Sequence, residues 1–444
     1  MSLNKTKQDS IAAALIKFCT PLILSGILQQ LYNWVDAFIV GNINGEGALA
    51  AVGAVWSINN FYIMAITGFT TGLSILMAQK YGAGQIEDIR KILSTFLCIL
   101  GVIVIAVSLF AFVMAEPVLK IMDTPGDIFD YSKIYLKIVC IGIPFLTVYN
   151  LYAVTLRAMG DSRAPFLAVL VSSVVNIVLD IVFVAVYRWG VAGAAYATII
   201  SQIAMTVFLV IYGIKKYPEI RFKLGKGMVH RDCVSKSVSF GTPPMLQSCI
   251  TALGNMVLQG FMNSFGTSTV AAITTAYRVD SIALLPVINL GSGISTLVAQ
   301  SHGAGDDKKA WKVFTTGAAI MFGTAVVLTL LVITFGGYMV GIFGVGTEAT
   351  AIGARFFRCL GMFYTVFGMS MACRGFVEGM GGVMHSSIFG VTALAVRIAL
   401  SYILRGVFDN MVIAYAEGIS WVLMMTLFAV RCCILRKKSI NSTT

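Results

Sequence analysis

Gly72-Leu-Ser-Ile-Leu-Met-Ala-Gln-Lys-Tyr-Gly-Ala-Gly84 and Gly293-Ile-Ser-Thr-Leu-Val-Ala-Gln-Ser-His-Gly-Ala-Gly305 are near copies of each other. They lie 221 residues apart (293 − 72) in a chain of 444 residues, close to half its length. Ala50-Ala51-Val52 and Ala271-Ala272-Ile273 repeat at the same offset. The chain therefore reads as two versions of one design.

Hydrophobic residues make up 58% of the chain and charged residues only 12%, about half the charge of a soluble domain. Such a chain belongs mostly in lipid. Twelve apolar stretches are long enough to cross ~30 Å of hydrocarbon as helices. They run over about 14–41, 49–80, 91–114, 132–157, 165–187, 190–214, 237–265, 268–301, 311–335, 350–374, 384–405 and 410–432. The first is too long and too polar, with Gln29, Gln30, Asn33 and Asp36, for a cleaved signal. The fold class expected is an all-α integral membrane protein of two pseudo-symmetric six-helix bundles. A lobe at 1–214, a cytoplasmic linker at 215–236 and a lobe at 237–444 are expected.

The net charge of +12 is placed by topology rather than for nucleic acid. With loops assigned alternately to two sides, 22 lysines and arginines fall on one side and three (Lys120, Arg188 and Arg405) on the other. This bias sets both termini, including Lys5 and Lys7, in the cytoplasm of a plasma-membrane protein. The basic side would then meet anionic head groups. Both halves start on one side with an even number of helices. They are therefore parallel repeats, an arrangement found in secondary transporters. Nine scattered cysteines without C-x-x-C give no disulfide framework or zinc site, and Cys432-Cys433 reads as an inert pair. Asn441-Ser-Thr falls on the cytoplasmic tail and is discounted as a glycosylation acceptor. Only His230, His302 and His385 occur, and no phosphate-binding loop or hydrolase motif is present, so an enzyme is not expected and no cofactor is implied.

Ionisable side chains within a bilayer cost about 2.5–3.5 kcal/mol each on insertion scales, so each asks for a function. In the first half these are Asp36 and Asp180. Gln29, Asn33 and Asp36 share one helix face, as do Ser172, Asn176 and Asp180. Tyr149, Asn150, Thr198, Ser201 and Gln202 add polar groups on two more helices. Two carboxyls among neutral oxygens suit a proton or a small hard cation. Such aspartates can alternatively hold helices together by hydrogen bonds to Asn and Thr. In the second half, Gln247, Thr251, Asn255 and Gln259 form a polar stripe, and Arg278, Asp280 and Arg397 are the intramembrane charges. Asp280 and Arg397 are expected either to pair or to serve substrate. Counting from Arg157 and Arg374 puts Asp180 and Arg397 at one repeat position (180 − 157 = 397 − 374). Glu378 and Glu417, near helix ends, are expected to be solvated. Phe61, Met64, Met256 and Phe261 could wall a cavity for apolar guests.

Together, the two Gln-x-x-Gly-Ala-Gly helix ends, Pro21 with Asp36, Arg157-Ala-Met-Gly-Asp161 and Asn176-Ile-Val-Leu-Asp180 resemble the multidrug and toxic compound extrusion (MATE) family over roughly 11–435. The resemblance implies a V-shaped pair of six-helix bundles that exports cationic, amphipathic small molecules in exchange for H⁺ or Na⁺. In the branch that this chain is similar to, the cation site lies in the N-terminal lobe. Asp36, Asn176, Asp180 and Thr198 match its positions, with Asn33 beside them and Na⁺ at Asp36, Asn176 and Asp180. Another branch has acids in helices 7 and 10, but 235–265 and 351–373 contain neither Asp nor Glu. Gln29, Tyr149, Asn150, Gln202, Asn255, Arg278, Asp280 and Arg397 are the candidate substrate contacts. A lipid-linked oligosaccharide flippase of the same superfamily is the alternative. A monomer in the bilayer, without nucleic acid as a partner, is expected.

Overall fold

A computed structural model describes residues 8–221 and 229–441. Lys5, Lys7, residues 222–228 of the expected linker, and the Ser-Thr of the glycosylation motif lie outside these residues. The first half holds α1 (Gln8–Asn44), α2 (Glu46–Gly82), α3 (Ile86–Ile121), α4 (Gly126–Ala158), α5 (Arg163–Asp180) and α6 (Gly190–Lys216). The second holds α7 (Arg231–Asn263), α8 (Thr267–Ala283), α9 (Leu285–Gly303), α10 (Asp307–Gly341), α11 (Thr347–Gly361), α12 (Tyr364–Gly379), α13 (Val383–Ile403), α14 (Arg405–Phe408) and α15 (Val412–Asn441).

The repeat is written in the backbone. The ends of α2, moved by 221, fall on the start of α8 and the end of α9 (46 + 221 = 267; 82 + 221 = 303). The ends of α4 fall in the same way on the start of α11 and the end of α12 (126 + 221 = 347; 158 + 221 = 379). Gly84 (φ +73°) and Gly305 (φ +75°) end the duplicated motif in the left-handed region. There the N–H of Ala83 bonds the Gln79 carbonyl and that of Ala304 bonds the Gln300 carbonyl, each at 3.0 Å. The copied Gly-Ala-Gly is thus a helix stop.

Gly160 (φ +89°) and Gly381 (φ +88°) keep the same 221 offset. This corrects the register read from the arginines. Arg397 stands at the repeat position of Asn176 (397 − 221), and Ser401 at that of Asp180 (401 − 221). A glycine needed for positive φ marks register more firmly than a long side chain at a helix end.

Among the described residues, nine helices are long and apolar enough to cross a membrane, and two bent pairs bring this to eleven. The long helix left over is α7, whose Gln247, Thr251, Asn255 and Gln259 make it more polar. The stretches expected as single helices at 268–301 and 350–374 are broken. Helices α8 and α9 meet at 42°, and α11 and α12 at 49°. Pro286 in the first turn of α9 lacks the N–H that would continue α8. At the second break, the Phe363 N–H turns to the Leu360 carbonyl at 2.9 Å, a tightened turn that interrupts the α-helical ladder.

The chain divides into two compact units, Leu24–Ser239 and Met1–Ile23 with Phe240–Thr444. In the first, Val55, Val104, Leu136, Val139, Ile143 and Val191 pack a core with Ala194 and Ala195, whose small side chains let α6 approach its neighbours. In the second, Leu15 and Phe18 from the start of α1 join Ile294, Phe314, Phe357, Tyr364 and Phe376. Gly293 has no Cβ to collide with the Cys19 thiol, which explains one small residue of the duplicated motif. Large apolar side chains such as Val102, Phe110, Val113, Tyr338 and Ile403 are exposed, as a surface solvated by lipid requires.

The turn between α4 and α5 is pinned by Asp161. Its Oδ2 accepts from Lys216 Nζ (2.8 Å), Tyr217 (3.1 Å) and Tyr212 (3.2 Å). Its Oδ1 accepts from the N–H groups of Arg163 and Ala164, both at 3.2 Å. Burial pushes this carboxyl up, but the Lys216 ammonium, the Ala164 N–H and Tyr217 outweigh it and hold it below the usual carboxylate range. Its stabilisation is therefore present above the ordinary carboxylate pKa and is lost as pH falls through the depressed one. Asp161→Asn should cost roughly 2 kcal/mol at neutral pH and flatten the acid limb of thermal stability in detergent. In the same assay Gly305→Ala should destabilise by about 1 kcal/mol or more. Gly101→Ala, in an open helical position, should not.

Candidate functional site

Helix α5 ends on Asp180, and the chain continues as a π-helix over Ile181–Val186. Such widened turns occur often at functional sites. Asn176, one turn earlier, is 2% exposed and Asp180 is fully buried. Asp36 comes from α1 of the same compact unit, and its carboxyl group interacts with that of Asp180. Asp36 Oδ1, both carboxyl oxygens of Asp180 and Asn176 Oδ1 are buried and accept no hydrogen bond.

Four buried acceptors without a donor are the feature of this site that asks for chemistry, because buried polar groups are otherwise nearly always paired. A carboxylate has no proton to give and an amide oxygen none at all. Only a positive guest, or a proton placed on a carboxyl, satisfies them. The donor set of two carboxyls and an amide oxygen fits a hard monovalent cation as well as a proton. The alternative, aspartates held by Asn and Thr, does not fit oxygens that accept nothing.

Thr198 on α6 donates to the Ala194 carbonyl at 3.0 Å, leaving its oxygen free to accept or ligate. Tyr135 on α4 lies beside Asp36, Asp180, Tyr62 and Thr198. Tyr32, one turn before Asp36, lies near both Asp36 and Tyr149. Neither Tyr32 nor Tyr135 was singled out from sequence. The available signal is the spacing of Tyr135 and Tyr149, fourteen residues apart (149 − 135), which puts them near one face of α4.

Asn33 is half-buried on α1, and Gln29 is exposed. Tyr149 is buried, Gln202 is half-buried, and the Asn150 amide donates to its own helix at the Leu146 carbonyl (2.9 Å). These residues belong to the Leu24–Ser239 unit. Asn255, Arg278, Asp280 and Arg397 belong to the other.

In that second unit the expected Asp280–Arg397 pair does not form. Arg397 donates to Glu417 Oε2 at 2.8 Å and to the Tyr277 hydroxyl at 2.9 Å, and Tyr277 donates to the same Glu417 oxygen at 3.0 Å. Asp280 accepts from Tyr364 instead. Glu417, 6% exposed, and Glu378, 7% exposed, are buried rather than solvated. Glu378 is held by Arg374 Nε at 2.7 Å and the Ser386 hydroxyl at 2.6 Å. A position near a helix end says little about solvent when the next helix packs over it.

Glu417→Gln strands the buried Arg397 charge and should cost about 3–5 kcal/mol, whereas the double change Arg397→Met, Glu417→Leu should recover most of it. Thermal unfolding of the purified single and double variants measures both.

A family profile described as MatE matches residues 21–182 and 243–430. The "Probable multidrug resistance protein YpnP" of Bacillus subtilis (strain 168) is 26% identical over 382 residues, 85% of this chain and 84% of that protein. "Multidrug export protein MepA" of Staphylococcus saprophyticus is 22% identical over 429 residues, 94% of this chain and 91% of that protein. Among solved structures, a MATE in complex with MaL6 superposes with a TM-score of 0.89 at 21% identity, covering 98% of this chain and all (100%) of the other. A mutant of the Vibrio cholerae MATE transporter VcmN superposes at 0.90 with 18% identity and 99% of both chains covered. These structures share the fold.

Proposed function

The chain belongs to the MatE family of transporters, and from that premise we propose that it exports cationic or amphipathic small molecules in exchange for H⁺ or Na⁺ bound at Asp36 and Asp180. The relatives named for multidrug resistance and export support the substrate class. The observation that carries the coupling site is the set of buried, donorless oxygens on Asp36, Asn176 and Asp180.

The sequence of events follows from charge. With a proton or Na⁺ bound, one negative charge of the pair is neutralised and α1 can lie close to α5. With the ion released, two carboxylates in a low-dielectric space repel each other. The packing of α1 on α5 then becomes the two-state element that the ion biases, and a ligand shifts such an equilibrium only by its differential affinity for the two states. Tyr135 adds a hydroxyl that can donate to a charged carboxylate after release, and the Thr198 oxygen can ligate a bound Na⁺. A cationic substrate competes for the same negative charge, which gives exchange. The protein is a multi-pass membrane protein. We place both its termini in the cytoplasm on the distribution of basic loops, and take one chain, with both halves, as the working unit. The carboxyl pair favours an exporter of cations over a flippase for lipid-linked oligosaccharides.

In proteoliposomes, Asp36→Asn and Asp180→Asn should each lower gradient-driven efflux of a fluorescent cation by roughly ten-fold or more, the scale of one charge-assisted contact. Separate H⁺ and Na⁺ gradients identify the coupling ion. Asp36→Asn with undiminished, gradient-driven transport contradicts the assignment.

A further inference from the structure

Arg278 is exposed, and it differs in its partners from the arginines that the helices cover, Arg397 and Arg157. Arg397 is neutralised by Glu417 at 2.8 Å. Arg157 returns its Nε to the Ala153 carbonyl of its own helix at 3.2 Å. Arg278 sits eleven residues into α8 (278 − 267), roughly 16 Å along its axis, against a hydrocarbon thickness of ~30 Å. Its backbone carbonyl accepts from Ser281 at 2.7 Å. No carboxylate forms an ion pair with its guanidinium among the described residues. The nearest acid along α8, Asp280, is turned to Tyr364.

Arg278 instead lines an open-sided cavity of about 660 Å³, well inside the size range of small-molecule sites. Asn263, Thr274 and Thr275 line it with amide and hydroxyl groups, and Phe343 and Val345 line it with apolar surface. No Asp or Glu lines it. A positive charge with no carboxylate partner on this wall favours an anionic guest. The fork of the guanidinium matches an oxyanion with two oxygens, and the hydroxyls beside it can donate to the same group. The aromatic and aliphatic wall suits an apolar body.

The geometry points to this cavity as a second substrate site, which holds amphipathic compounds through an oxyanion (carboxylate or phosphate) on Arg278. It rests on the exporter reading and extends its substrates from cations to zwitterions and anions. Opposite charges in the two units then sort substrates by their ionic group: Asp36 and Asp180 answer to cations, Arg278 to oxyanions.

The test uses a rhodamine with a free carboxylate and its methyl ester, which share one apolar body, in proteoliposomes of the full chain. Wild-type protein should carry both dyes. Arg278→Ala should lose carboxylate-dye transport by roughly ten-fold or more while ester transport stays within about two-fold. Arg278→Lys should restore part of the carboxylate transport, since a point charge survives without the fork. Equal loss of both dyes in a folded Arg278→Ala, or full retention of the carboxylate dye, overturns the site. If Arg278→Ala does not fold, Thr275→Val with the same pair of dyes decides by the same selective loss. Fluorescence anisotropy with purified protein reads binding without transport. Carboxylate-dye binding lost in Arg278→Ala supports the site even where neither dye is moved, an outcome that counts against the exporter reading alone. A second arm follows transbilayer movement of a short-chain fluorescent phosphatidate. Arg278-dependent movement of that lipid, with no Arg278-dependent binding of the carboxylate dye, supports the oxyanion contact and names a lipid head group as its source.

Discussion

The structure turns on buried oxygens that no donor among the described residues satisfies. Asp36, Asn176 and Asp180 bring four acceptor atoms together inside one unit, and among the described residues no donor answers them short of a proton shared between the two carboxyls. In an apolar interior such a group is a standing cost of about 1–3 kcal/mol or more per atom. Elsewhere among the described residues, buried acids find donors. Asp161 takes five donors, Glu378 takes Arg374 and Ser386, and Glu417 takes Arg397 and Tyr277. Against that background, the aspartates of the first unit stand out, and it is there that we propose a positive guest.

The two halves share a backbone and differ in charge. Helix ends and positive-φ glycines repeat at 221, so the repeat fixes where helices begin, stop and turn. At the positions that carry chemistry the copies part. The position that holds Asn176 in one unit holds Arg397 in the other, and that of Asp180 holds Ser401. One unit keeps a donorless acidic site. The other has an Arg–Glu–Tyr network in its place, with Arg278, exposed and in no ion pair among the described residues, on another helix. Duplication thus conserves the scaffold while each copy is free to change the ionic character of its interior.

Much of this was legible in the sequence because its causes are local. Apolar length, the copied Gly-Ala-Gly stop and the loop charges act within a few residues, and they give the helices and the repeat. The pair Asp36 and Asp180 was legible for a different reason: hydrocarbon makes any buried acid conspicuous. What escaped depends on packing between helices. The breaks at Leu284 and Phe363 follow from Pro286 and a tightened turn inside otherwise apolar runs. Glu417 and Glu378 are covered by neighbouring helices that sequence spacing does not reveal. Tyr135 joins the acidic site only through the approach of α4 to α1 and α5. The register of Arg397 was lost because two arginines at helix ends coincide by chance, whereas the glycine turns record the true alignment.

The central claim is that the Asp36–Asp180 pair gives up its ion when a cationic substrate arrives. The most direct measurement adds a cationic substrate to purified protein in weakly buffered solution and follows proton release with a pH indicator, and Na⁺ release with an ion-selective electrode. The account predicts release of one of these ions from the wild-type protein and none from Asp36→Asn, Asp180→Asn. Substrate binding that displaces neither ion from the wild type, or displaces the same amount from the double variant, would contradict it.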